Sequence, residues 1–234
     1  MSEKIIRNLI DFYKAFNEKT LYFEDTAFHT FLSKWPNCNI NKPNNILDFT
    51  DFNNKKYSKN WILSEDFTNK NKTGIKDAKL FPVSSWTNMY LSKKQLFLKT
   101  KIPNFTLEFL KEKDISDFIT VINASFNKEM LRYNQVKEKL NHTDFLFVTG
   151  KSQQKLVTTA VFFSNGQTVG LYFIATKKEF RKKGYGTETI KQGINHILSE
   201  KPTEFVLHAT FAGKKMYENI GFTAVNKMRI FVKI

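Results

Sequence analysis

The chain has 234 residues, enough for one large domain or two small ones with buried cores. Its 24 phenylalanines and 41% hydrophobic residues exclude an intrinsically disordered protein. The formal net charge of +15 would suit an anionic partner such as a nucleic acid, but the excess is spread evenly. Residues 1–104 carry 17 Lys/Arg against 10 Asp/Glu, and residues 105–234 carry 20 against 12. An even excess in a chain rich in Lys, Asn, Phe and Ile favours a composition bias over a nucleic-acid-binding segment.

Membrane insertion, disulfide bonds and metal clusters are all disfavoured by the sequence. No apolar run approaches the roughly 18 residues of a transmembrane helix, and the amphipathic N-terminus lacks the apolar core of a signal peptide. We therefore expect a cytoplasmic protein without a membrane partner. Cys38 is the single cysteine and is expected to be a buried apolar thiol. The four histidines show no ligand spacing, so no metal site is expected.

The first hundred residues predict few regular elements. Apolar residues at helical spacing predict a helix over Glu3–Phe16 and a second over Asp25–Leu32. A long stretch rich in turn-forming residues follows. Short strands are predicted at Trp61–Ser64 and Met89–Leu91, with the polar segment Thr68–Thr73 between them.

A regular alternation of strands and helices begins near residue 105. Asp114 or Ser116 can cap a first helix and Asn127 a second, and Asn-Gly within Ser164–Gln167 predicts a tight hairpin turn. The predicted order is β-α-α-β-β-β-α-β-α-β, a mixed α/β sheet. The first two helices are predicted to end at about Phe126 and Leu140, and the other two to span Gly186–Leu198 and Gly213–Asn219. The strands are predicted at Phe105–Leu110, Phe145–Thr149, Leu156–Phe163, Thr168–Thr176, Phe205–Ala209 and Phe222–Ile234. The last of these is predicted to be an alternating hairpin or strand pair.

The segment Ile174–Thr187 carries the clearest chemistry. A strand ends, a basic loop Arg181-Lys182-Lys183-Gly184-Tyr185-Gly186 follows, and a helix begins at once. The first amides of a helix lack internal partners and lie at its positive end, so they can bind a diphosphate. Glycine leaves the backbone accessible to such a ligand.

This loop resembles the acyl-CoA-binding loop of the GNAT acetyltransferase superfamily, whose pattern is Arg/Gln-x-x-Gly-x-Gly/Ala. Met216-Tyr217-Glu218-Asn219-Ile220-Gly221-Phe222 is similar to the second signature of that family, Leu-Tyr-x-x-x-Gly-Phe. The resemblance covers residues 105–234 and implies a GNAT-like fold there. Residues 1–104 would form an additional N-terminal lobe, weakly similar to a degenerate GNAT-like half at Trp35–Asn37 and Trp86–Leu91.

The resemblance also implies a co-substrate and an activity. Acetyl-CoA would donate an acetyl group to an amine on a small molecule, peptide or protein, by direct attack in a ternary complex. Variable loops choose the acceptor in this fold, here the N-terminal lobe and Ala124–Tyr133. The cofactor-binding residues implied are Phe173, Ile174, Ala175, Thr176, Arg181, Lys182, Lys183, Gly184, Tyr185, Gly186 and Thr187, together with Thr210, which stands where many members have an asparagine.

Two residues are candidates for catalysis. Tyr217 occupies the position of a tyrosine that donates to the leaving thiolate in many family members, and its alternative is a packing role. His208 is the one group near the expected site that titrates close to neutral pH, and its alternatives are a structural histidine, with Glu179 or water as the base. At the level of the whole protein, a non-catalytic acyl-CoA sensor or scaffold is the alternative function, and a nucleic-acid-binding protein is a weaker one.

Overall fold

The structure is a computed structural model that describes residues 1–17, 23–25, 29–32, 37–41, 58–93, 102–200 and 203–234. Its helices are α1 (Ser2–Phe16), α2 (Glu65–Lys70), α3 (Lys72–Asp77), α4 (Ile115–Phe126), α5 (Tyr133–Lys139), α6 (Tyr185–Glu200) and α7 (Phe211–Ile220). Its strands are β1 (Phe23–Asp25), β2 (His29–Leu32), β3 (Cys38–Asn41), β4 (Asn60–Ser64), β5 (Leu80–Lys93), β6 (Phe105–Phe109), β7 (Phe145–Ser152), β8 (Lys155–Ser164), β9 (Val169–Thr176), β10 (Thr203–Ala209) and β11 (Thr223–Lys233). The fold is therefore mixed α/β, as predicted.

The chain forms two compact units that are not consecutive in sequence. The first unit contains residues 1–90, 207–218 and 222–234, and the second contains residues 91–206 and 219–221. Strand β10 contributes its first residues to the second unit and its last residues to the first. None of the helices in the described ranges is long and apolar enough to cross a membrane.

The second unit is an antiparallel sheet, β9-β8-β7-β6, covered by helices on both faces. Phe118 of α4 makes an edge-on ring contact with Phe147, whereas a Cβ at Gly193 of α6 would collide with Phe162. Phe147 pairs with Val161 in the register, so Phe147 and Phe162 point to opposite faces. The sheet is thus sandwiched between α4 and α6, and this explains why β8 is buried along nearly its whole length.

The first unit contains the strand order β1-β2-β3-β4-β11-β5, followed by the end of β10. The β3–β4 pair is parallel, and the β1–β2, β2–β3, β4–β11 and β5–β11 pairs are antiparallel. Short helices α2 and α3 cover one core cluster, formed by Trp61, Leu63, Phe67, Ile75, Ala78, Leu80 and Phe231. Ser64 caps α2 by accepting a hydrogen bond from the Phe67 backbone N–H at 3.2 Å.

Most predicted elements are confirmed to within a few residues. The first helix spans Ser2–Phe16 and buries its apolar stripe, and the strands and helices predicted from Phe105 to Asn219 all form. In the hairpin at residues 164–168, Gly166 adopts φ +83° and Asn165 Oδ1 accepts from the backbone N–H groups of Gln167 and Thr168. Cys38 is buried on β3, and burial raises the pKa of its thiol, which keeps it neutral.

The helix predicted over Asp25–Leu32 is wrong in its described residues. Phe23–Asp25 and His29–Leu32 are antiparallel strands, with Phe23 opposite Leu32. Aromatic and β-branched residues such as Phe31 and Thr30 suit a strand packed in a sheet, and this tertiary pairing overrides the short helical spacing. Trp35 and Pro36, used for the resemblance of the N-terminal lobe, lie outside the described residues.

Asn127 does not begin a helix as predicted; it ends one. It adopts φ +52°, the left-handed conformation that closes α4. Asn123 then fixes the following loop, because its Oδ1 accepts from the backbone N–H groups of Met130 at 2.7 Å and Leu131 at 3.1 Å. Helix α5 starts only at Tyr133.

Two features of the first unit were not predicted correctly or at all. No element was assigned to the polar segment Thr68–Thr73, which belongs to α2 and α3; these short helices bury few residues and so give weak periodicity. The predicted terminal hairpin at Phe222–Ile234 is a single long strand, β11, which pairs with β4 on one side and β5 on the other. The β5–β11 register shifts twice, at Val225 of β11 and at Val83 of β5.

Candidate functional site

Strand β9 carries a bulge at Phe173–Thr176, residues that the family resemblance implies for cofactor binding. The β8–β9 register shifts between the pairs Thr159–Ala175 and Val161–Tyr172, and Phe173 adopts φ +48°. Left-handed backbone is costly for a bulky residue and marks a locally strained strand. A bulge interrupts the hydrogen-bond ladder and re-aims the backbone of the strand.

Hydroxyl groups from β8 hold this bulge. Thr159 Oγ1 donates to the carbonyl of Phe173 at 3.0 Å, and Thr158 Oγ1 donates to the carbonyl of Ala175 at 2.8 Å. Thr158 and Thr159 are fully buried, so the two bonds are shielded from water. Ile174 and Thr176 alternate with Phe173 and Ala175 along β9 and are half-buried.

The loop after β9 turns back on itself before α6 begins. Arg181 Nε donates to the carbonyl of Thr176 at 3.0 Å and closes the loop. Lys182 adopts φ +61° and Gly184 φ +83°, and Glu188 N–H donates to the Gly184 carbonyl as the first helical bond of α6. Gly184 is required for its left-handed conformation, in which an added Cβ is strained whatever the space around it.

The backbone N–H groups of this loop are free. Within the described part of the chain, none of those from Lys182 to Thr187 donates a hydrogen bond. Left-handed Gly184 followed by helical Tyr185 is the backbone pattern that turns successive amides toward one concavity, which binds anions. Together with the first turn of a sixteen-residue helix, the loop is suited to bind a diphosphate.

Positive side chains surround the loop. Arg181, Lys182 and Lys183 are exposed, and Lys183 Nζ lies 5.5 Å from the ring centroid of Phe180. The positive end of the α6 dipole adds to this charge. The loop therefore presents a positive potential to an anionic ligand.

Tyr185 anchors the start of α6. Its hydroxyl lies 3.1 Å from Ser152 Oγ, and its ring contacts those of Phe105 and Phe180. The side chain thus fixes the helix against the sheet, while the backbone N–H remains part of the free series.

Thr210, predicted to contact the cofactor, caps α7. Its Oγ1 accepts from the Gly213 N–H at 3.3 Å, and its carbonyl accepts from Gly213 and Lys214 at 3.1 Å. A hydroxyl that accepts one bond still has its own proton to donate. The residue is exposed, so this proton is accessible to a ligand.

Tyr217 is buried on α7 with its ring edge-on to Phe222, at 5.9 Å between centroids. Its hydroxyl makes no hydrogen bond to any residue that the structure describes. Burial raises the pKa of this phenol, so it stays protonated and able to donate. Gly213 keeps space for the ring, since an added Cβ would lie 3.2 Å from Tyr217 Cε2.

His208 lies near the end of β10 and is half-buried. Its Nδ1 is 2.7 Å from Asn88 Oδ1, and its ring lies 5.9 Å from that of Trp86. Its Nε2 is buried without a hydrogen-bond partner among the described residues. Although part of the residue reaches the surface, desolvation of the ring lowers the pKa of His208 to about 4.

The structure thus groups the predicted residues in two sets. Residues 173–176 and 181–187 lie together in the second unit, and His208, Thr210 and Tyr217 belong to the first. Sequence reasoning missed Asn88, the partner of His208. Only the structure shows that Asn88 is fully buried beside buried Met89, a position where a polar side chain needs a specific partner. Among the described residues, no group of three or more His, Cys, Asp or Glu could hold a metal ion.

Comparisons with solved structures identify the fold. A GCN5-related N-acetyltransferase from Kribbella flavida aligns with a TM-score of 0.72 and 11% identity, over 97% of this chain and 95% of that one. A functionally unknown conserved protein from Staphylococcus epidermidis aligns with a TM-score of 0.68 and 13% identity, over 93% and 96%. A GCN5-related N-acetyltransferase from Sphaerobacter thermophilus gives 0.63 and 11%, over 74% and 58%.

The sequence comparisons agree with the fold. No curated protein sequence matches the chain. The family model described as an acetyltransferase (GNAT) domain matches residues 107–234, which is more than half of the chain. The chain belongs to the GNAT acetyltransferase family.

Proposed function

We propose that the protein is an N-acetyltransferase that transfers the acetyl group of acetyl-CoA to an amine acceptor, by direct attack in a ternary complex. The observation that carries this proposal is the series of backbone N–H groups from Lys182 to Thr187, which donate no hydrogen bond within the described chain. The series includes left-handed Lys182 and Gly184 and continues into the first turn of α6. Few backbone segments leave so many consecutive N–H groups without partners unless an anion or water satisfies them.

The residues of the second unit fit acetyl-CoA. The amides of residues 182–187 and the exposed cations Arg181, Lys182 and Lys183 suit the diphosphate. The bulged backbone of Phe173–Thr176 suits the pantetheine arm and the thioester carbonyl, since a bulge re-aims the backbone of the strand. In the first unit, the Thr210 hydroxyl is a further donor. Acetyl-CoA, when bound, supplies the activated acetyl group.

The acceptor amine must lose a proton. A primary amine with a pKa near 10.4 is only about 0.04% neutral at pH 7, which costs roughly 4.6 kcal/mol before attack. The ammonium releases that proton to solvent. His208 is the side chain proposed to accept, directly or through water, the second proton, which the nitrogen releases once it has bonded to the acetyl carbon. Its lowered pKa keeps it neutral at pH 7, so its ring is always in the state that accepts.

Tyr217 is the proposed donor to the departing thiolate. The phenol is buried, makes no hydrogen bond to a described residue and has a raised pKa. A raised pKa of the phenol disfavours complete proton transfer to a thiolate whose conjugate thiol has a pKa near 8.5. The role we assign is therefore a hydrogen bond to the developing charge on sulfur, which requires no tyrosinate.

A second candidate is a protein that binds acyl-CoA without transferring the acyl group, as a sensor or scaffold. The low pKa of His208, about 4, favours it, because such an imidazole is a weak base. The two functions share the binding loop and differ in turnover. Thiol release from acetyl-CoA in the presence of a broad amine panel separates them: affinity without release would support the sensor.

Calorimetry with acetyl-CoA tests the binding loop on which both functions rest. The wild-type protein should bind, and Gly186→Glu should abolish binding by placing bulk and negative charge at the diphosphate. Gly166→Glu is the matched control, since it adds the same side chain at an exposed glycine of the β8–β9 hairpin with open space around it. Absence of wild-type binding at millimolar acetyl-CoA would refute the proposed function.

A further inference from the structure

A chain of side-chain hydrogen bonds in the first unit begins at His208. His208 Nδ1 lies 2.7 Å from Asn88 Oδ1, Asn88 Nδ2 donates to Asn226 Oδ1 at 2.8 Å, and Asn226 Nδ2 donates to Ser2 Oγ at 2.6 Å. The chain crosses β10, β5 and β11 and finishes at the first residue of α1. Four elements thus contribute one residue each to a single polar relay, named here the His208 relay.

The direction of the relay fixes the tautomer of His208. Asn226 uses its amide N–H₂ on Ser2, so its oxygen faces Asn88, and Asn88 in turn uses its N–H₂ on Asn226. The atom that Asn88 presents to the imidazole is therefore its oxygen, which has no proton to give. With Asn88 in this orientation, Nδ1 is the donor. A neutral imidazole carries one proton, so the lone pair lies on Nε2.

The Nε2 atom of His208 is left without a partner. It is buried, and no described residue offers it a hydrogen bond. An unsatisfied buried acceptor destabilises the fold, and the other three relay members are all paired. A ligand with an N–H group would satisfy this atom.

We propose that Asn88 and Asn226, with Ser2 at the end of the relay, are positioning residues that hold His208 with an unprotonated Nε2 directed at the N–H of the acceptor amine. This inference rests on the proposed acetyl transfer and assigns the acceptor side of that reaction. Asn88 is fully buried, so its orientation is set by its two partners and not by water.

The reaction step that follows is balanced without any further reactant. The amine nitrogen forms a bond to the acetyl carbon, the C–S bond breaks, and its electron pair leaves with sulfur. Bonding to carbon makes the nitrogen far more acidic, and its proton passes to Nε2 and then to solvent. The thiolate takes up a proton from solvent on release. The relay keeps Nδ1 protonated throughout.

Nitrogen-15 NMR of the imidazole rings tests the tautomer directly. The chain has four histidines, and the His208 signals are those lost in His208→Gln. The proposal predicts a protonated Nδ1 and an unprotonated Nε2 in the wild type at neutral pH. Asn88→Leu should remove the preference for this tautomer, and Ser2→Ala, which removes only the last bond, should weaken it. A wild-type ring protonated on Nε2 would mean that the relay runs in reverse, and would overturn the proposal.

Steady-state kinetics test the function of the relay. Asn88→Leu should lower kcat for amine acetylation by at least about tenfold, with the KM for acetyl-CoA nearly unchanged. Asn39→Ala is the control, because Asn39 is also a fully buried asparagine of the first unit but bonds to the backbone of residues 58 and 60. An equal loss of kcat in Asn39→Ala would reduce Asn88 to a stabilising residue and contradict the proposal.

The two readouts separate failure of the relay from failure of the proposed function. If the wild type shows the predicted tautomer but transfers no acetyl group to any amine, acetyl transfer is wrong and the catalytic part of the proposal is overturned with it. If acetyl transfer occurs and Asn88→Leu changes the tautomer without lowering kcat, the enzyme function stands and the relay has no positioning role. If Asn88→Leu does not fold, Asn226→Ser, a smaller change at an intermediate residue, gives the same comparison.

Discussion

At the residue scale, Tyr217 and His208 illustrate how burial changes the chemistry of a side chain. Both side chains lose contact with water on folding, and desolvation favours the neutral form of each. The pKa of the phenol is therefore raised and that of the imidazole lowered. The sequence identifies both residues by position and type. It cannot give their ionisation behaviour, because that depends on neighbours such as Phe222 and Trp86 that pack only in the folded chain.

Tyr217→Phe separates the donor role from the packing role. The variant keeps the ring against Phe222 and removes only the hydroxyl, so the fold and acetyl-CoA affinity should change little. Turnover should fall by about tenfold, the value of a hydrogen bond to a charged group of roughly 1.5 kcal/mol. Unchanged turnover in Tyr217→Phe would leave the residue with a packing role alone.

His208 predicts a pH dependence of stability. Its pKa is about 4 in the folded protein, against about 6.5 in an unfolded chain, so the unfolded state binds more protons between these values. The stability that comes from neutral His208 is complete above about pH 6.5 and is lost as the pH falls toward 4. Between pH 7 and pH 5 the free energy of unfolding should drop by up to about 2 kcal/mol more in the wild type than in His208→Gln. Denaturant titrations at the two pH values measure the free energy of unfolding of each protein. An equal drop in the wild type and in His208→Gln would show that His208 is not the group responsible.

At the element scale, the sequence predicts elements well where hydrophobic period and turn chemistry agree. The loop between β9 and α6 was located because a basic Gly-x-Gly segment separates a strand from a helix. The bulge at Phe173 was not predicted, because it depends on Thr158 and Thr159 of the neighbouring strand. Helices α2 and α3 and the full length of β5 were missed for a similar reason: their pairing with β11 and its core residue Phe231 is long-range.

Gly184 gives a prediction about the loop as an element. Gly184→Ala places a Cβ at φ +83° and should lower the free energy of unfolding by about 1 kcal/mol. Because relief of that strain rotates the neighbouring amides, acetyl-CoA affinity should fall by at least about tenfold, a loss of roughly 1.4 kcal/mol. Gly166→Ala has the same φ of +83° with open space around it, so it should cost similar stability and leave affinity unchanged. Calorimetry and thermal unfolding of both variants test this, and equal affinities would contradict the role of the Gly184 turn.

At the scale of the whole molecule, the signatures and the fold divide the chain differently. The family signatures support residues 105–234 as the GNAT domain that we propose, with residues 1–104 as an additional lobe. In the first unit, however, β11 pairs with β4 and β5, which both precede residue 105. We infer that the GNAT domain depends on the N-terminal lobe for folding.

A fragment comprising residues 105–234 tests this dependence. Without β4 and β5, the strand β11 loses both neighbours and exposes Met228 and Phe231, which are almost fully buried in the intact chain. The fragment should therefore show no cooperative thermal transition, whereas the full chain should unfold cooperatively. Addition of residues 1–104 as a separate polypeptide should restore the transition. A cooperatively folded fragment on its own would refute the dependence.

The central claim is that the free amides of Lys182–Thr187 bind the diphosphate of acetyl-CoA, and amide NMR tests it most directly. On titration with acetyl-CoA, the backbone N–H signals of residues 182–187 should show the largest shifts in the protein, and they should stay in place with acetylated pantetheine, which lacks the diphosphate. If acetyl-CoA binds and these six signals do not move, the diphosphate is held elsewhere and the account is wrong.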